Sequence, residues 1–325
     1  MRGGRRRLRV PAGGPGSEGA RVVDHRTRWR HRPAGASGSR GSPRAGLVTT
    51  GALLRRVGLF AFLEVAALAI LGPLITWAGS YVIGATLSTF AAAALANAFA
   101  VRIWERGRLS DIGLGWAEGS ARNLLCGFLG GVGAALLVLV PPVAFRLAAW
   151  ERDPSLASGF GPFIFLTLVL VFGAVGEEML FRGYGFQLLM GRLGPFATIV
   201  PFGVIFGFAH AANLSFSPLG LVNTAAWGIL LGYAFLRTGE LWMPIGLHFG
   251  WNWVLPLFGV KLSGFTMGVT GYALRWSAGE LWSGGDYGPE ASLLTLPVLV
   301  LLFFYVQRAP VAPQSAFLLR PPPEA

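Results

Sequence analysis

Two adjacent carboxylates and an arginine end an apolar run near the middle of the chain: Glu177, Glu178 and Arg182 follow residues 160–172. On a helix, Glu178 and Arg182 are four residues apart and can form an ion pair, with the acid on the favourable N-terminal side. Glu177 then projects about 100° away around the same helix. Because ionisable groups inside a membrane span are costly, these three are candidate functional residues. The simpler interpretation is a helix end at the membrane edge, with its charges in water.

Two histidines and an amide occupy later apolar stretches. His210 closes the sequence Phe-Gly-Phe-Ala-His that begins at Phe206, and His248 precedes Asn252 by one helical turn. A glutamate, two histidines and an asparagine can support hydrolysis without a nucleophilic side chain. The carboxylate accepts a proton from water, and one imidazole orients that water or protonates the leaving amine. The other imidazole and the amide donate to the developing oxyanion, at about 2.7–4 kcal/mol per donor. Arg182 would hold Glu178 ionised and fix the helix that presents Glu177.

A zinc centre is the alternative interpretation of these residues, with His210, His248 and Glu177 as ligands around an open water position. The chain has no His-Glu-x-x-His sequence, so the helical zinc-protease pattern is absent. The number of ligands suffices for zinc, but no spacing demands a metal. The metal-free mechanism and the zinc mechanism therefore both stay open, and zinc is the one cofactor that these residues suggest.

The composition indicates an integral membrane protein. Of 325 residues, 53% are hydrophobic and 13% charged, against about 25% charged residues in soluble domains. The net charge of +12 belongs mainly to residues 1–46, which hold twelve arginines against Glu18 and Asp24. This Gly-, Pro- and Ser-rich tail lacks hydrophobic periodicity and is predicted to be disordered. It has almost no aromatic residues, so no nucleic-acid partner is expected, whereas the lipid bilayer is one.

Apolar runs predict an all-α membrane bundle of about eight transmembrane helices within a domain at 47–310, between the basic tail 1–46 and a C-terminal tail at 311–325. Glu64, the one ionisable residue of the first span, is predicted to make a structural polar contact, with a catalytic role as the alternative. The longest connection, 259–290, is explained by interfacial Trp and Tyr anchors, with a substrate-contacting lid as the alternative. The predicted spans are 58–78, 81–101, 123–144, 160–182, 196–212, 219–237, 241–258 and 291–307.

Arginines favour an orientation with both termini in the cytoplasm, because positively charged loops stay on that side. Four basic residues fall on the predicted outer side: Arg146, Arg152, Lys261 and Arg275. The acids beside them are Glu151, Asp153, Glu280, Asp286 and Glu290. The predicted inner side collects Arg55, Arg56, Arg102, Arg106, Arg108, Arg122, Arg192, Arg237 and Arg308.

The ordered motifs Glu-Glu-x-x-x-Arg, Phe-x-x-x-His and His-x-x-x-Asn resemble the CPBP family, the CAAX prenyl endopeptidase and bacteriocin-processing (Abi) membrane proteases. The resemblance is strong over residues 160–258. It implies an intramembrane endopeptidase that cuts a membrane-associated peptide or protein, in CAAX-type proteolysis or bacteriocin-type processing. It further implies that Glu177 and His210 activate water, while His248 and Asn252 form the oxyanion site.

The resemblance leaves several properties open. The family name implies a metalloprotease, although a metal-free glutamate mechanism fits the residues as well. The Arg-rich, Lys-poor composition looks more like a bacterial member in the plasma membrane than a eukaryotic one. The alternative function is a catalytically silent member that acts as a bacteriocin immunity factor or a membrane protein-binding scaffold.

The motifs also impose a geometric condition. If the fourth span stops at Arg182, Glu177 lies near the cytoplasm and His210 near the opposite face. We therefore expect the helix to continue through 183–193, which places Glu177 deeper, and the next span to be short or tilted. A Glu177–His210 separation within one water bridge is the result that this expectation requires.

Overall fold

Residues 49–78, 81–314 and 316 are described by the computed structural model of the protein. The predicted disordered tail, 1–46, lies outside the described residues, and so does the C-terminal tail apart from 311–314 and 316. The domain boundaries therefore stay predictions.

The described chain is mostly helical. A π-helical turn at Val101–Glu105 extends α2, and 3₁₀ turns lie at Leu109–Ile112 and Pro289–Ala291. The α-helices are α1 (Thr50–Ala78), α2 (Tyr81–Ala100), α3 (Ser120–Ala144), α4 (Phe160–Arg182), α5 (Tyr184–Leu193), α6 (Pro195–Ala209), α7 (Pro218–Thr238), α8 (Trp242–Leu257), α9 (Glu280–Ser283) and α10 (Thr295–Arg308).

Five stretches of the described chain are long and apolar enough to cross a membrane: Thr50–Trp77, Val82–Glu105, Ser120–Ala144, Phe160–Leu193 and Pro218–Thr238. The protein is thus an integral membrane protein, and each of the eight predicted runs coincides with a helix. Eight spans are not confirmed, because α6, α8 and α10 have 15, 16 and 14 residues. Helices of that length rise only about 21–24 Å, against a hydrocarbon core of about 30 Å.

The predicted continuous helix through 183–193 is wrong in detail, because α4 ends at Arg182 and α5 begins at Tyr184. Asn97 of α2 occupies the break: its Nδ2 donates to the Met179 carbonyl at 3.0 Å, and its Oδ1 accepts from the Tyr184 N–H at 2.7 Å. A Cβ at Gly183 would lie 2.2 Å from Asn97 Oδ1, so only glycine fits. The amide thus satisfies backbone groups that would otherwise be unpaired in lipid.

Helix α8, which carries His248, is packed against α3 at backbone distance. A Cβ on Gly131 would lie 2.2 Å from the Leu247 carbonyl oxygen, and one on Gly246 would lie 2.3 Å from that of Leu124. Small residues at a helix interface permit this approach, and van der Waals packing holds it in lipid. The contact fixes the depth and rotation of His248.

A two-stranded antiparallel ribbon, which was not predicted, joins the connection before α4 to the connection after α8. Strand β1 (Ala148–Arg152) pairs with β2 (Tyr272–Trp276), with Trp150 opposite Leu274. Arg275 adds an ion pair with Asp153. The ribbon therefore ties the middle of 259–290 to the connection between α3 and α4.

The predicted polar contact of Glu64 is wrong. Its side chain is buried, and neither carboxylate oxygen has a hydrogen-bond partner within the described part of the chain. Helix α1 packs chiefly against α2, where Ala92, Ala93 and Ala96 are buried. The buried polar side chains of α2, Ser88 and Asn97, bond to other groups instead: the hydroxyl to carbonyls within α2, and the amide to the backbone of Ala93, Met179 and Tyr184.

Candidate active site

Three helix segments bring one carboxylate and two imidazoles together. The Oε2 atom of Glu177, on α4, lies 3.8 Å from Nε2 of His210 at the end of α6, and also 3.8 Å from Nε2 of His248 on α8. One water can bridge such a separation, since each hydrogen bond spans about 2.6–3.2 Å. The expected Glu177–His210 proximity is therefore met, although the helix after Glu177 is broken. Among the described residues, no group hydrogen-bonds to Glu177 Oε2.

A second set of contacts lies behind Glu177. Glu178 is fully buried, and its Oε1 accepts from Arg182 Nη1 at 3.2 Å and faces His248 Nδ1 at 2.9 Å. Arg182 is also buried, donates to the Gly228 carbonyl at 2.8 Å and lies over the Phe206 ring at 4.9 Å. The predicted ion pair is present, and it fixes α4, α7 and α8 together. The simpler interpretation, charges at a helix end in water, is wrong.

The ring partners assign the tautomers of both histidines. His210 Nδ1 lies 2.8 Å from the Phe206 carbonyl, which can only accept, so Nδ1 carries the proton. His248 Nδ1 faces the Glu178 carboxylate in the same way. In their neutral forms both rings therefore present the Nε2 lone pair towards Glu177. A carboxylate on Nδ1 also favours the protonated form of His248.

A cavity of about 390 Å³ contains these groups. Asn252 lines it, one turn beyond His248, and its side chain makes no hydrogen bond with a described residue. Most of the lining is apolar, including Leu170, Trp227 and Trp251. Residues of the connection 259–290 complete the cavity wall: Leu262, Ser263, Phe265, Met267 and Glu290. This position agrees better with a segment that contacts the substrate, the lid alternative, than with membrane anchoring alone.

The segment that holds the three motifs also matches a known protein family. Residues 159–254 match the model of the type II CAAX prenyl endopeptidase Rce1-like family. These residues form an Rce1-like domain. The comparisons of the chain with curated proteins and with solved structures gave no match.

The Rce1-like domain supports a CAAX-type intramembrane protease, because its family is a family of proteases. It contains all six candidate residues, from Glu177 to Asn252. It also confirms the family resemblance drawn from the motifs. The catalytic role of each of the six candidate residues stays a prediction.

One ionisable residue of the site lies outside the Rce1-like domain and was missed. Glu290, in the 3₁₀ turn before α10, is 9% exposed and lines the same cavity as Glu177 and the two histidines. Burial raises the pKa of its carboxyl, and the neighbouring His210 imidazole acts in the opposite direction. The sequence placed Glu290 among ordinary outer-loop acids, and no local pattern distinguishes it from them.

The donor set does not fit the zinc alternative. Within the described ranges, no group of three or more His, Cys, Asp and Glu side chains has a geometry that could hold a metal ion. Glu178, the carboxylate closest to His248, is already shared between Nδ1 and the guanidinium of Arg182. The geometry of these side chains thus favours a mechanism that depends on Glu177 and the two histidines alone.

Proposed function

We propose that the protein is an intramembrane endopeptidase that hydrolyses a peptide bond of a membrane-associated peptide or protein, with a water activated by Glu177 and His210. The observation that carries this proposal is the equal 3.8 Å approach of Glu177 Oε2 to two imidazole Nε2 atoms within an apolar cavity. A carboxylate and an unprotonated imidazole are both acceptors. A water between them donates one hydrogen to each and turns a lone pair towards the substrate carbonyl.

Attack transfers the water proton to Glu177 as the new C–O bond forms. His248 and Asn252 then donate to the oxyanion. For His248 this requires a proton on Nε2, and the carboxylate of Glu178 supports that state by neutralising the ring's charge. Asn252 supplies its amide N–H, which has no competing partner among the described residues. Collapse of the intermediate breaks the C–N bond, and the leaving amine takes the proton back from Glu177.

This mechanism uses a glutamate base without a metal. The support is the donor geometry, since Glu177, His210 and His248 do not form a metal-binding group within the described residues. The metalloprotease implied by the family name is accordingly not proposed.

The orientation with both termini in the cytoplasm places the cavity towards the outer face. The nine arginines of the predicted inner side would then lie at the opposite, cytoplasmic end of the bundle, while Ser263 and Glu290 of the connection 259–290 line the cavity. Because positively charged loops stay in the cytoplasm, the cavity would open towards the outside. We therefore expect substrates to enter from that side. We place the protein in a bacterial plasma membrane, on its Arg-rich, Lys-poor composition.

The test of this function is a comparison of membrane peptides from cells that carry the wild type or Glu177→Gln at equal abundance. We expect intact substrates to accumulate in the variant and their fragments to disappear. Identical peptide profiles, together with an unchanged phenotype, would instead support the silent immunity factor or scaffold.

A further inference from the structure

Three consecutive residues of the connection 259–290 have a backbone without hydrogen-bond partners. Neither the N–H nor the C=O group of Thr266, Met267 or Gly268 makes a hydrogen bond within the described part of the chain. Gly268 is nevertheless buried, and buried backbone groups without a partner are rare in folded proteins. We call residues 266–268 the unpaired edge.

The unpaired edge continues strand β2 beyond the end of its partner. Just after the edge, Thr270 still forms an antiparallel bridge with Ser158. The partner chain cannot follow further, because α4 begins at Phe160. No residue of the unpaired edge has a positive φ, so its backbone is compatible with a strand. The fold thus leaves a short strand edge open to pairing with another extended chain.

The unpaired edge lies beside the cavity that holds Glu177. All three of its residues line a second cavity of about 370 Å³, and Val82, Val169 and Met267 line both cavities. Val169 and Glu177 are about two turns apart on α4, a rise of about 12 Å. An extended peptide covers that distance with about four residues. A peptide whose scissile bond lies at Glu177 can therefore reach the unpaired edge.

An extended peptide is the ligand that fits this edge. The facing wall of the second cavity is apolar and includes Val82, Phe165 and Leu166. A peptide that enters apolar surroundings must find partners for its own N–H and C=O groups. A strand edge offers acceptors and donors at the matching spacing. A hydrocarbon chain in the same cavity would leave the backbone groups of the edge unpaired.

We propose that the unpaired edge binds the substrate by strand addition, pairing with the peptide backbone about four residues from the scissile bond. This proposal rests on the proposed function, since it concerns the substrate of the same site. Pairing with the backbone tolerates varied side chains. It sets no requirement on the other side of the cut, so a scissile bond close to a free C-terminus is accommodated.

The test measures binding of lipid-anchored peptides to the full-length Glu177→Gln protein in nanodiscs by fluorescence anisotropy. The probe is a short peptide of alanine and leucine with a free C-terminal carboxylate, and each variant carries one backbone N-methyl group at a different central position. The methyl group removes a donor and blocks strand pairing but leaves the side chains unchanged. We expect about tenfold weaker binding for methyl groups at alternate positions and unchanged binding for those between, because successive residues of a strand face opposite edges.

Proline substitutions test the pairing from the side of the protein. Thr266→Pro and Met267→Pro each remove an N–H that bonds to nothing in the described ranges, so the midpoint of thermal unfolding should stay near that of the parent. One of the two should weaken binding of the unmodified peptide about tenfold. Thr266→Ala keeps the N–H and separates its loss from that of the hydroxyl. Glu280→Pro is the matched control, at an exposed position of the same connection that lines neither cavity.

Equal binding of all N-methyl variants would overturn the proposal, and so would full binding by both proline variants. The second cavity would then hold an apolar side chain or a hydrocarbon chain. Failure of the unmodified peptide to bind would also contradict it, because backbone pairing does not depend on sequence. The N-methyl series uses an unsubstituted edge, so it decides even if a proline variant folds poorly. Because hydrolysis is not the readout, failure of this proposal and failure of the proposed function can be distinguished.

Discussion

The Nδ1 atom of His248 lies 2.9 Å from Oε1 of Glu178, and this contact joins α8 to α4 in the buried interior. The same oxygen accepts from Arg182. One carboxylate thus neutralises a guanidinium and orients the imidazole of the proposed oxyanion site. Glu178 therefore contributes both to the stability of the helical bundle and to the position of His248 in the site.

Arg182→Ala should lower both stability and abundance. The substitution leaves Glu178 buried with only His248 as a charged partner and removes the donor to the Gly228 carbonyl. Breaking a buried pair from one side costs about 3–5 kcal/mol. We expect a lower midpoint of thermal unfolding in detergent and less protein in membranes. Arg192→Ala, at an exposed site on α5, is the control, and equal effects of the two substitutions would contradict this role of Arg182.

Asn97→Ala should destabilise the break between α4 and α5. It leaves the Met179 carbonyl and the Tyr184 N–H without their side-chain partner. Leaving a buried group unsatisfied costs about 1–3 kcal/mol, so we expect a loss of at least about 2 kcal/mol in the free energy of unfolding. Ser88→Ala, on the same helix, removes a hydroxyl that bonds only within α2, and it should have the smaller effect. A reversed order would argue against the proposed part of Asn97.

Treatment with a strong zinc chelator should leave the hydrolysis rate of the purified protein unchanged. The reason is the absence of a metal-binding group of His, Cys, Asp and Glu within the described residues. Elemental analysis of the active protein should find less than one zinc per chain. A loss of activity that added zinc restores would show that the glutamate mechanism is wrong.

Labelling of single cysteines should report the orientation. In a Cys126→Ser background, Glu280→Cys should react with a membrane-impermeant maleimide in intact cells, whereas Arg192→Cys should react only after permeabilisation. We expect this pattern because residue 192 belongs to the predicted Arg-rich side of the bundle, and positively charged loops stay in the cytoplasm. The opposite pattern would place the cavity on the cytoplasmic side and reverse the proposed direction of substrate entry.

The helices could be predicted from sequence because apolar runs report burial in lipid directly, and α4 was expected at 160–182, where it is found. The Glu178–Arg182 pair followed from helical spacing alone. The break at Gly183 could not be predicted, because it depends on Asn97, a residue of another helix. The one visible signal in the sequence is Asn97 itself, a polar residue within an alanine-rich span, which indicates a polar contact with another helix.

Glu290 was missed for a related reason. Its membership of the site depends on the path of a 32-residue connection, 259–290, that carries a strand and two short helical turns. Local spacing does not determine how such a segment folds back over a cavity. Helical spacing and motifs identify Glu177, His210 and His248. No such pattern identifies the part of the cavity wall that the connection 259–290 supplies.

The hydrolysis rate of Glu177→Gln shows whether Glu177 is the base that activates water. The purified wild type, Glu177→Gln and the exposed control Glu118→Gln would be assayed in liposomes on a substrate identified from the membrane peptides. We predict that Glu177→Gln lowers the rate by about a thousandfold without changing thermal stability, while Glu118→Gln matches the wild type. Cleavage by Glu177→Gln at a rate near that of the wild type would show that Glu177 is not the base.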